Sequence, residues 1–339
     1  MFGGHEHGGA VVDEAAGVLE GDGLAHRHSL CVPGAFGAGV SCAAMHRLDP
    51  DLRRTWLFGP GADAAAHEAM LGSGADVLIV DLEDFTPAPR RADARHLLAG
   101  VAARARERSR LFAVRVNQLD HADGAADLAA AMAARPDVIA CPMAERAEQM
   151  RALDAAIGTW EGTLGIEPGS TELLPVCETA LGVVDVRALA AASARIRCAL
   201  LGTEDLAADL CAERGTDAVE LDHARRRFVL ECRAARIEPI DAPYTFADTA
   251  GAVREAAYAR RLGYRCKSLV RPEHAGALNA AFTPDEAALR EAQAVVQAFE
   301  AARARGEERA LVNGLWVEVP TYRNAWRLVQ RAQRLHGDG

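Results

Sequence analysis

Lysine is nearly absent from this 339-residue chain, since Lys267 is the only one among its 38 lysine and arginine residues. Any Schiff-base mechanism would therefore have to use that one amine. No run of about 20 apolar residues is present to span a bilayer, and the amino terminus lacks the basic and apolar regions of a secretory signal. The eight cysteines form no CxxC pair, so the sequence predicts buried, reduced thiols in a cytoplasmic protein.

Charge and composition narrow the class of protein further. The formal net charge is -10, from 48 acidic and 38 basic residues. Because the basic residues are not clustered as a phosphate backbone would require, nucleic acid is excluded as an expected partner. Apolar residues make up 50% of the chain and charged residues 25%, which is typical of a soluble globular protein and excludes disordered and fibrous classes.

Short apolar runs alternate with alanine-rich, arginine-studded stretches from Thr55 onward, and this alternation indicates repeated β/α units around a parallel sheet. The runs are apolar throughout rather than alternating, as expected for strands that are buried on both faces. The eight strand candidates cover residues 55–58, 76–81, 111–116, 137–143, 173–178, 198–202, 238–244 and 266–272. Eight such units predict an α/β fold, a (β/α)8 TIM barrel with a carboxy-terminal helical lid or arm.

The chain divides into three segments on this interpretation. Residues 1–51 have no sustained period, and we expect an extension that is partly disordered or packs on a neighbouring subunit. Residues 52–284 form the predicted barrel, which carries the catalytic groups. Residues 285–339 are too few for a core of their own, so we expect a lid or oligomerisation segment whose Trp316, Tyr322 and Trp326 are covered by a barrel.

Polar residues that follow the predicted strands indicate the chemistry, because barrel enzymes carry their catalytic groups at the carboxyl ends of the strands. Glu178 and Asp205 follow neighbouring strands and are our candidate ligands for Mg²⁺, which binds through one or two carboxylates and water. Arg115 lies opposite them, where its planar guanidinium can hold a substrate carboxylate. Glu83 and Asp84 are further candidate catalytic residues. The alternative is a purely structural charge network.

Seven motifs occur together in one order. They are Arg54 to Gly61, Asp81 to Asp84, Arg115 to Asn117, Glu178 to Ala180, Gly202 to Asp205, Ile240 to Tyr244, and Gly263 to Lys267. In order and spacing these motifs resemble those of the CitE-like, citrate lyase beta subunit-like branch of the HpcH/HpaI aldolase and citrate lyase family. The resemblance covers residues 53 to about 328.

The resemblance implies a TIM barrel in which Glu178 and Asp205 hold Mg²⁺ and Arg115 binds the carboxylate of a keto acid. Members of the family cleave or form a carbon-carbon bond between an acetyl-type thioester and a keto acid, on citryl, malyl or citramalyl thioesters. The expected ligands are therefore a keto acid and an acyl-CoA or acyl-carrier thioester. The resemblance also implies a homo-oligomer, a trimer or a multiple of one.

Three positions depart from the family pattern. Met143 stands where the fourth strand usually ends in Pro-Lys-x-Glu, and Arg271 begins the sequence that replaces His-Pro-x-Gln after the eighth strand. In the lid, Glu318 replaces the aspartate that a neighbouring subunit supplies to the active site, and its extra methylene shifts the carboxyl group. These departures leave the metal ligands intact and the thioester specificity open.

Several alternatives remain at the level of sequence. Arg54 either contacts the thioester's phosphates or forms a surface ion pair. Besides the lyase, the sequence allows a malyl-CoA-type thioesterase, a pyruvate-type aldolase, or a non-catalytic subunit that binds an acyl carrier or CoA. The presence of Glu178, Asp205 and Arg115 favours an enzyme.

Overall fold

The computed structural model describes residues 49–337 and shows a closed barrel of eight parallel strands, each paired with the next along the chain. All eight apolar runs form strands, which confirms the predicted fold. The strands are β1 Thr55–Pro60, β2 Val77–Asp81, β3 Leu111–Arg115, β4 Val138–Cys141, β5 Glu172–Cys177, β6 Cys198–Leu201, β7 Glu238–Asp241 and β8 Cys266–Leu269.

Helices connect successive strands and pack around the outside of the barrel. They are α1 Ala64–Gly72, α2 Arg91–Glu107, α3 Gly124–Ala133, α4 Ala147–Leu164, α5 Ala180–Val184, α6 Val186–Ala191, α7 Glu204–Asp209, α8 Asp222–Ala235, α9 Thr249–Leu262 and α10 Ala275–Phe282. Two short helices, α5 and α6, connect β5 to β6 and meet at Asp185.

Each strand places alternate side chains in two separate apolar clusters. Val77 and Ile79 belong to the cluster that fills the barrel, whereas Leu78 belongs to the larger cluster between the strands and the helices. Because side chains alternate along a strand, the residue two positions after the last interior one also faces inward. That rule places the side chains of Arg115 and Glu178 at the carboxyl mouth of the barrel.

Ion pairs occupy the amino end of the barrel. Both terminal nitrogens of Arg53 lie 2.7 Å from the carboxylate of Glu172, and Arg197 Nη1 lies 2.8 Å from the same carboxylate. Arg54 donates from Nε and from Nη2 to the two oxygens of Asp76, at 2.9 Å each. At this end of the barrel, each of these arginines therefore pairs with a carboxylate of opposite charge.

The carboxy-terminal segment consists of α11 Glu286–Ala304, a hairpin of β9 Ala310–Val312 and β10 Leu315–Val317, and α12 Val319–His336. Phe299 and Tyr322 stack with ring centroids 4.8 Å apart and anchor a small apolar cluster between the two helices. Near the end of α12, Arg331 donates to the carbonyl oxygens of Phe282 and Asp51, at 2.6 and 2.8 Å. The end of this segment is therefore fixed to the amino end of the barrel.

The two tryptophans of this segment are not covered by the chain's own barrel. Trp316 is 55% exposed and Trp326 is 46% exposed, and Leu311 and Leu315 of the hairpin are exposed as well. The expectation that a barrel covers them is therefore wrong for the barrel of the same chain. Coverage by a neighbouring chain stays a prediction.

Five cysteines in the described region are buried and unpaired, at positions 141, 177, 198, 232 and 266. Burial raises the pKa of the Cys141 thiol to about 12, which makes it a poor nucleophile. The prediction of buried thiols is wrong for Cys211, which is exposed. Cys31 and Cys42, like most of the predicted extension, lie outside the described residues. None of the helices within residues 49–337 combines the length and the apolar character needed to cross a bilayer.

Candidate active site

Arg115 and Asp81 form a buried, bidentate ion pair at the carboxyl mouth of the barrel. Arg115 donates from Nε to Asp81 Oδ1 at 2.9 Å and from Nη2 to Asp81 Oδ2 at 2.5 Å. The two residues are register partners on β2 and β3, so the sheet itself brings them together. This pair fixes the plane of the guanidinium and leaves Nη1 without contact to Asp81.

Two more carboxylates contact the outer edge of the same guanidinium. Glu83 Oε2 lies 2.8 Å from Arg115 Nη1, and Asp84 Oδ2 lies 3.4 Å from Nη2. Burial works against the charged guanidinium, but Asp81, Glu83 and Glu178 outweigh it and raise the pKa of Arg115. Burial and the neighbouring carboxylates raise the pKa of Glu83 to about 8, so this group can hold a proton at neutral pH.

Glu178 is the most deeply buried of the predicted metal ligands. Its side chain continues the inward face of β5, and its Oε1 accepts a hydrogen bond from the backbone N–H of Met143 at 2.8 Å. Burial, together with Asp205 and Asp84, raises the pKa of Glu178 to about 7 against the opposing effect of Arg115. A carboxylate in this position lacks sufficient positive charge nearby.

Gly202 provides the space that Glu178 occupies. A Cβ at position 202 would lie 2.7 Å from Glu178 Oε2 and 2.8 Å from its Cβ. Asp205 lies in the first turn of α7, and burial and Asp84 raise its pKa. The hydroxyl of Thr203, between them, is buried without a hydrogen-bond partner among the described residues.

These residues fit a magnesium ion. Glu178 and Asp205 are hard oxygen donors that follow the neighbouring strands β5 and β6. A divalent cation would supply the positive charge that lowers their raised pKa values. Residues 49–337 contain no group of three or more potential metal-ligating side chains. Two carboxylates suffice for Mg²⁺, because it retains water at its other positions, and those positions can accept substrate oxygens.

Two sequence predictions do not join this cluster. Arg54, for which contact with the thioester's phosphates was one of two alternatives, precedes β1 at the opposite end of the barrel and is held there by Asp76. The ion-pair alternative for Arg54 therefore fits the geometry, and we no longer propose it as a site residue. Glu318 is the exposed N-cap residue of α12, and no hydrogen bond or ion pair joins it to Glu178 among the described residues.

Lys267 is also separated from the mouth of the barrel. Its Nζ is fully buried between β8 and the helices, 2.7 Å from Asp241 Oδ2 and 2.9 Å from Glu255 Oε2. Schiff-base chemistry at this amine would require a carbonyl substrate to reach the interior of the protein.

Sequence reasoning missed three contributors. Asp81 was part of a motif but was not named as a site residue. Side chains alternate along β2, so the inward-facing Ile79 indicates that Asp81 also faces inward, beside Arg115. Met143 acts through its backbone N–H and has a positive φ of 46°, which no side-chain motif reveals. Phe85 places its ring centroid 5.7 Å from Arg115 Cζ.

Comparison with known proteins agrees with the geometry. A model of the HpcH/HpaI aldolase/citrate lyase family matches residues 54–272. The citrate lyase subunit beta of Escherichia coli K12 is 33% identical over 292 residues, covering 86% of this chain and 97% of that protein. An L-malyl-CoA/beta-methylmalyl-CoA lyase of Cereibacter sphaeroides is 30% identical over 305 residues, covering 83% of this chain and 95% of that lyase.

A solved structure is also similar to this chain in its fold. CitE from Mycobacterium tuberculosis, in complex with magnesium, acetoacetate and coenzyme A, superposes with a TM-score of 0.65 at 26% identity. The match covers 82% of this chain and 97% of that one.

Proposed function

The chain belongs to the HpcH/HpaI aldolase/citrate lyase family, and we propose that it is a Mg²⁺-dependent carbon-carbon lyase. Its substrate is a hydroxyacyl thioester of the citryl-, malyl- or citramalyl-CoA type, and its products are an acetyl-type thioester and a keto acid. The observation that carries this proposal is the buried Glu178 carboxylate, which lies with Asp205 at the mouth of the barrel opposite one arginine.

Glu178 and Asp205 would hold the metal. A Mg²⁺ ion held there would supply a Lewis acid for the substrate oxygen that becomes the keto group. Glu178 is oriented by the Met143 N–H and given room by Gly202. Both carboxylates must be ionised to bind the metal, so the protein binds it best above the raised pKa of Glu178.

Arg115 would bind the carboxylate of the keto acid. Its inner edge is fixed by Asp81, whereas its outer Nη atoms contact Glu83 and Asp84. A substrate carboxylate can take the place of these two side chains, because they lie closer to solvent than Asp81. The planar guanidinium then holds the substrate at two oxygens.

Cleavage also requires proton transfer, because the leaving thioester enolate must gain a proton and the hydroxyl group must lose one. Glu83 is the candidate among the described residues that retains a proton near neutral pH. Asp84 is adjacent and more exposed. Glu318 is a third acid, and we propose that it reaches the site of a neighbouring chain.

The direct test is to incubate the protein with Mg²⁺ and a panel of hydroxyacyl-CoA esters and to identify products by mass spectrometry. A lyase yields a keto acid and an acyl-CoA, and chelation of the metal stops the reaction. Release of the free hydroxy acid would instead identify a thioesterase. Binding of CoA esters with no conversion would identify a non-catalytic subunit.

The assembly has its own test. We propose a trimer or a multiple of one, in which a neighbouring barrel covers Trp316 and Trp326. Co-expressed Glu178→Gln and Glu318→Ala chains, each inactive alone, should then recover part of the activity, because some sites combine an intact metal ligand with an intact lid acid. No recovery in verified mixed oligomers would mean that the lid acts within its own chain or that Glu318 is not catalytic, and a stable monomer by light scattering would contradict the assembly.

A further inference from the structure

A large aromatic side chain lies beside the substrate-binding arginine at the mouth of the barrel. Phe85 is 40% exposed, and its ring centroid lies 5.7 Å from Arg115 Cζ. Phe58, on β1, lies 5.4 Å from the same carbon, and the two rings are 6.2 Å apart at an interplanar angle of 65°. These separations place both rings on one side of the guanidinium, where they form an aromatic corner.

The position of Phe85 is coupled to that of the arginine. Its backbone N–H donates to Asp81 Oδ2 at 3.0 Å, the oxygen that also accepts from Arg115 Nη2. One carboxylate therefore fixes both the guanidinium and the turn that carries the ring. Any acid bound to the outer edge of Arg115, through N–H···O bonds of about 2.8 Å, has the exposed part of this ring as a neighbour.

The remaining surroundings of Arg115 are acidic. Glu83 and Asp84 contact its outer edge, and Asp81 lies behind it. A keto acid with a second carboxylate would bring that charge towards the carboxylate of Asp84 and against an apolar ring, which is unfavourable on both counts. Hydrogen or a methyl group at the same position meets neither penalty, and a methyl group gains contact with the ring.

We propose that Phe85 is a specificity-determining residue that favours a monocarboxylic keto acid, of the pyruvate or glyoxylate type, over a dicarboxylic one. This inference rests on the proposed function, because it concerns the acid bound at the same arginine. It narrows the thioester substrate to the malyl or citramalyl type, since cleavage of a citryl thioester releases a dicarboxylic keto acid.

The test is direct binding of three acids to the Mg²⁺-loaded full chain by isothermal titration calorimetry. Glyoxylate, pyruvate and freshly prepared oxaloacetate differ only in the substituent on the keto carbon. We expect the wild-type protein to bind pyruvate about tenfold more tightly than oxaloacetate. Tighter binding of oxaloacetate than of pyruvate would overturn the inference.

Two variants separate the ring from the rest of the site. Phe85→Ala should weaken pyruvate binding about tenfold and change glyoxylate binding less than about threefold, because glyoxylate has no substituent to contact the ring. Phe85→Leu retains apolar bulk and should keep most of the pyruvate affinity. Glyoxylate also serves as an internal control, since its unchanged affinity shows that Arg115 and the metal ligands remain in place.

The outcome can be distinguished from failure of the proposed function. If the panel of thioesters is cleaved but Phe85→Ala weakens all three acids equally, the role of Phe85 is wrong and the lyase proposal stands. If no thioester is cleaved and no keto acid binds in the presence of Mg²⁺, the proposed function fails and the inference fails with it.

Discussion

The two ends of the barrel use the same residue types for different purposes. At the amino end, Glu172 begins β5 and is held by Arg53 and Arg197. At the carboxyl end, Glu178 follows the same strand but receives a single backbone hydrogen bond and shares one arginine with other carboxylates. Both glutamates lie in low-exposure positions, yet one is neutralised by its neighbours and the other is not.

The difference shows where stability and function lie in this fold. A matched buried ion pair supports the barrel, and removal of one partner leaves the other as an unfavourable buried charge. An uncompensated carboxylate is costly in the folded state and is retained here at the position where a cation and a substrate would compensate it. The imbalance of charge, more than the presence of charge, identifies the candidate site.

The largest expected effect on activity comes from removing the charge of Glu178, at the carboxyl end of β5. Glu178→Gln should lower lyase activity at least about a thousandfold, because the metal loses a ligand whose contribution is several kcal/mol. The matched control is Glu172→Gln, which should retain most of the activity per folded molecule. Steady-state kinetics with saturating Mg²⁺ measures both, and full activity in the Glu178 variant would remove the metal assignment.

A second pair of substitutions compares arginines at the two ends. Arg115→Lys keeps the positive charge but loses the planar fork, so affinity for the keto acid should fall about a hundredfold. Arg54→Lys is the control at the amino end and should leave that affinity within about twofold. Titration calorimetry distinguishes them. Equal losses in both variants would mean that Arg115 has no special contact with the acid.

A smaller effect is expected from the glycine that accommodates Glu178. Gly202→Ala places a methyl group within 2.8 Å of the glutamate side chain, so displacement of Glu178 should lower kcat/KM about thirtyfold. Gly100 in α2 has no atom within 4 Å of such a methyl group, and Gly100→Ala should leave kcat/KM unchanged. An unaltered rate in Gly202→Ala would show that the position of Glu178 does not limit catalysis.

The fold was predictable because strands buried on both faces leave continuous apolar runs. Each of the eight runs in the sequence forms a strand, and the lengths differ by a few residues only at the ends. The break between α5 and α6 was not predictable, since the apolar pattern continues across Asp185. The exposure of Trp316 and Trp326 was not predictable from one chain either, because large apolar groups indicate burial without indicating by which surface.

The site was predictable in part. Arg115 and Glu178 lie at the ends of predicted strands, at positions where the side chain points into the barrel. Their position along the strand was therefore enough to identify them. The pairing of Arg115 with Asp81 depends on strand register, and the N–H of Met143 depends on a left-handed backbone conformation at a residue other than glycine. Neither has a side-chain signature. Two alternatives remained open for Arg54 because a motif gives no indication of the barrel end at which its residues lie.

The most direct test of the contrast between the uncompensated Glu178 and the paired Glu172 is the stability of the metal-free protein at pH 8. Glu178 has a folded-state pKa of about 7, above its unfolded value of about 4.3, so its contribution to stability falls as pH rises between these values and remains unfavourable above them. Glu178→Gln should therefore raise the free energy of unfolding at pH 8 by roughly 1–2 kcal/mol, and this gain should disappear below about pH 4.

Glu172→Gln provides the opposite expectation in the same experiment. It removes the carboxylate that Arg53 contacts at two points, so the free energy of unfolding should fall by about 3 kcal/mol. Urea unfolding with a chelator present, at pH 8 and at pH 4, measures both variants against the wild type. The account predicts changes of opposite sign at pH 8, and a loss of stability in both variants at pH 8 would contradict it.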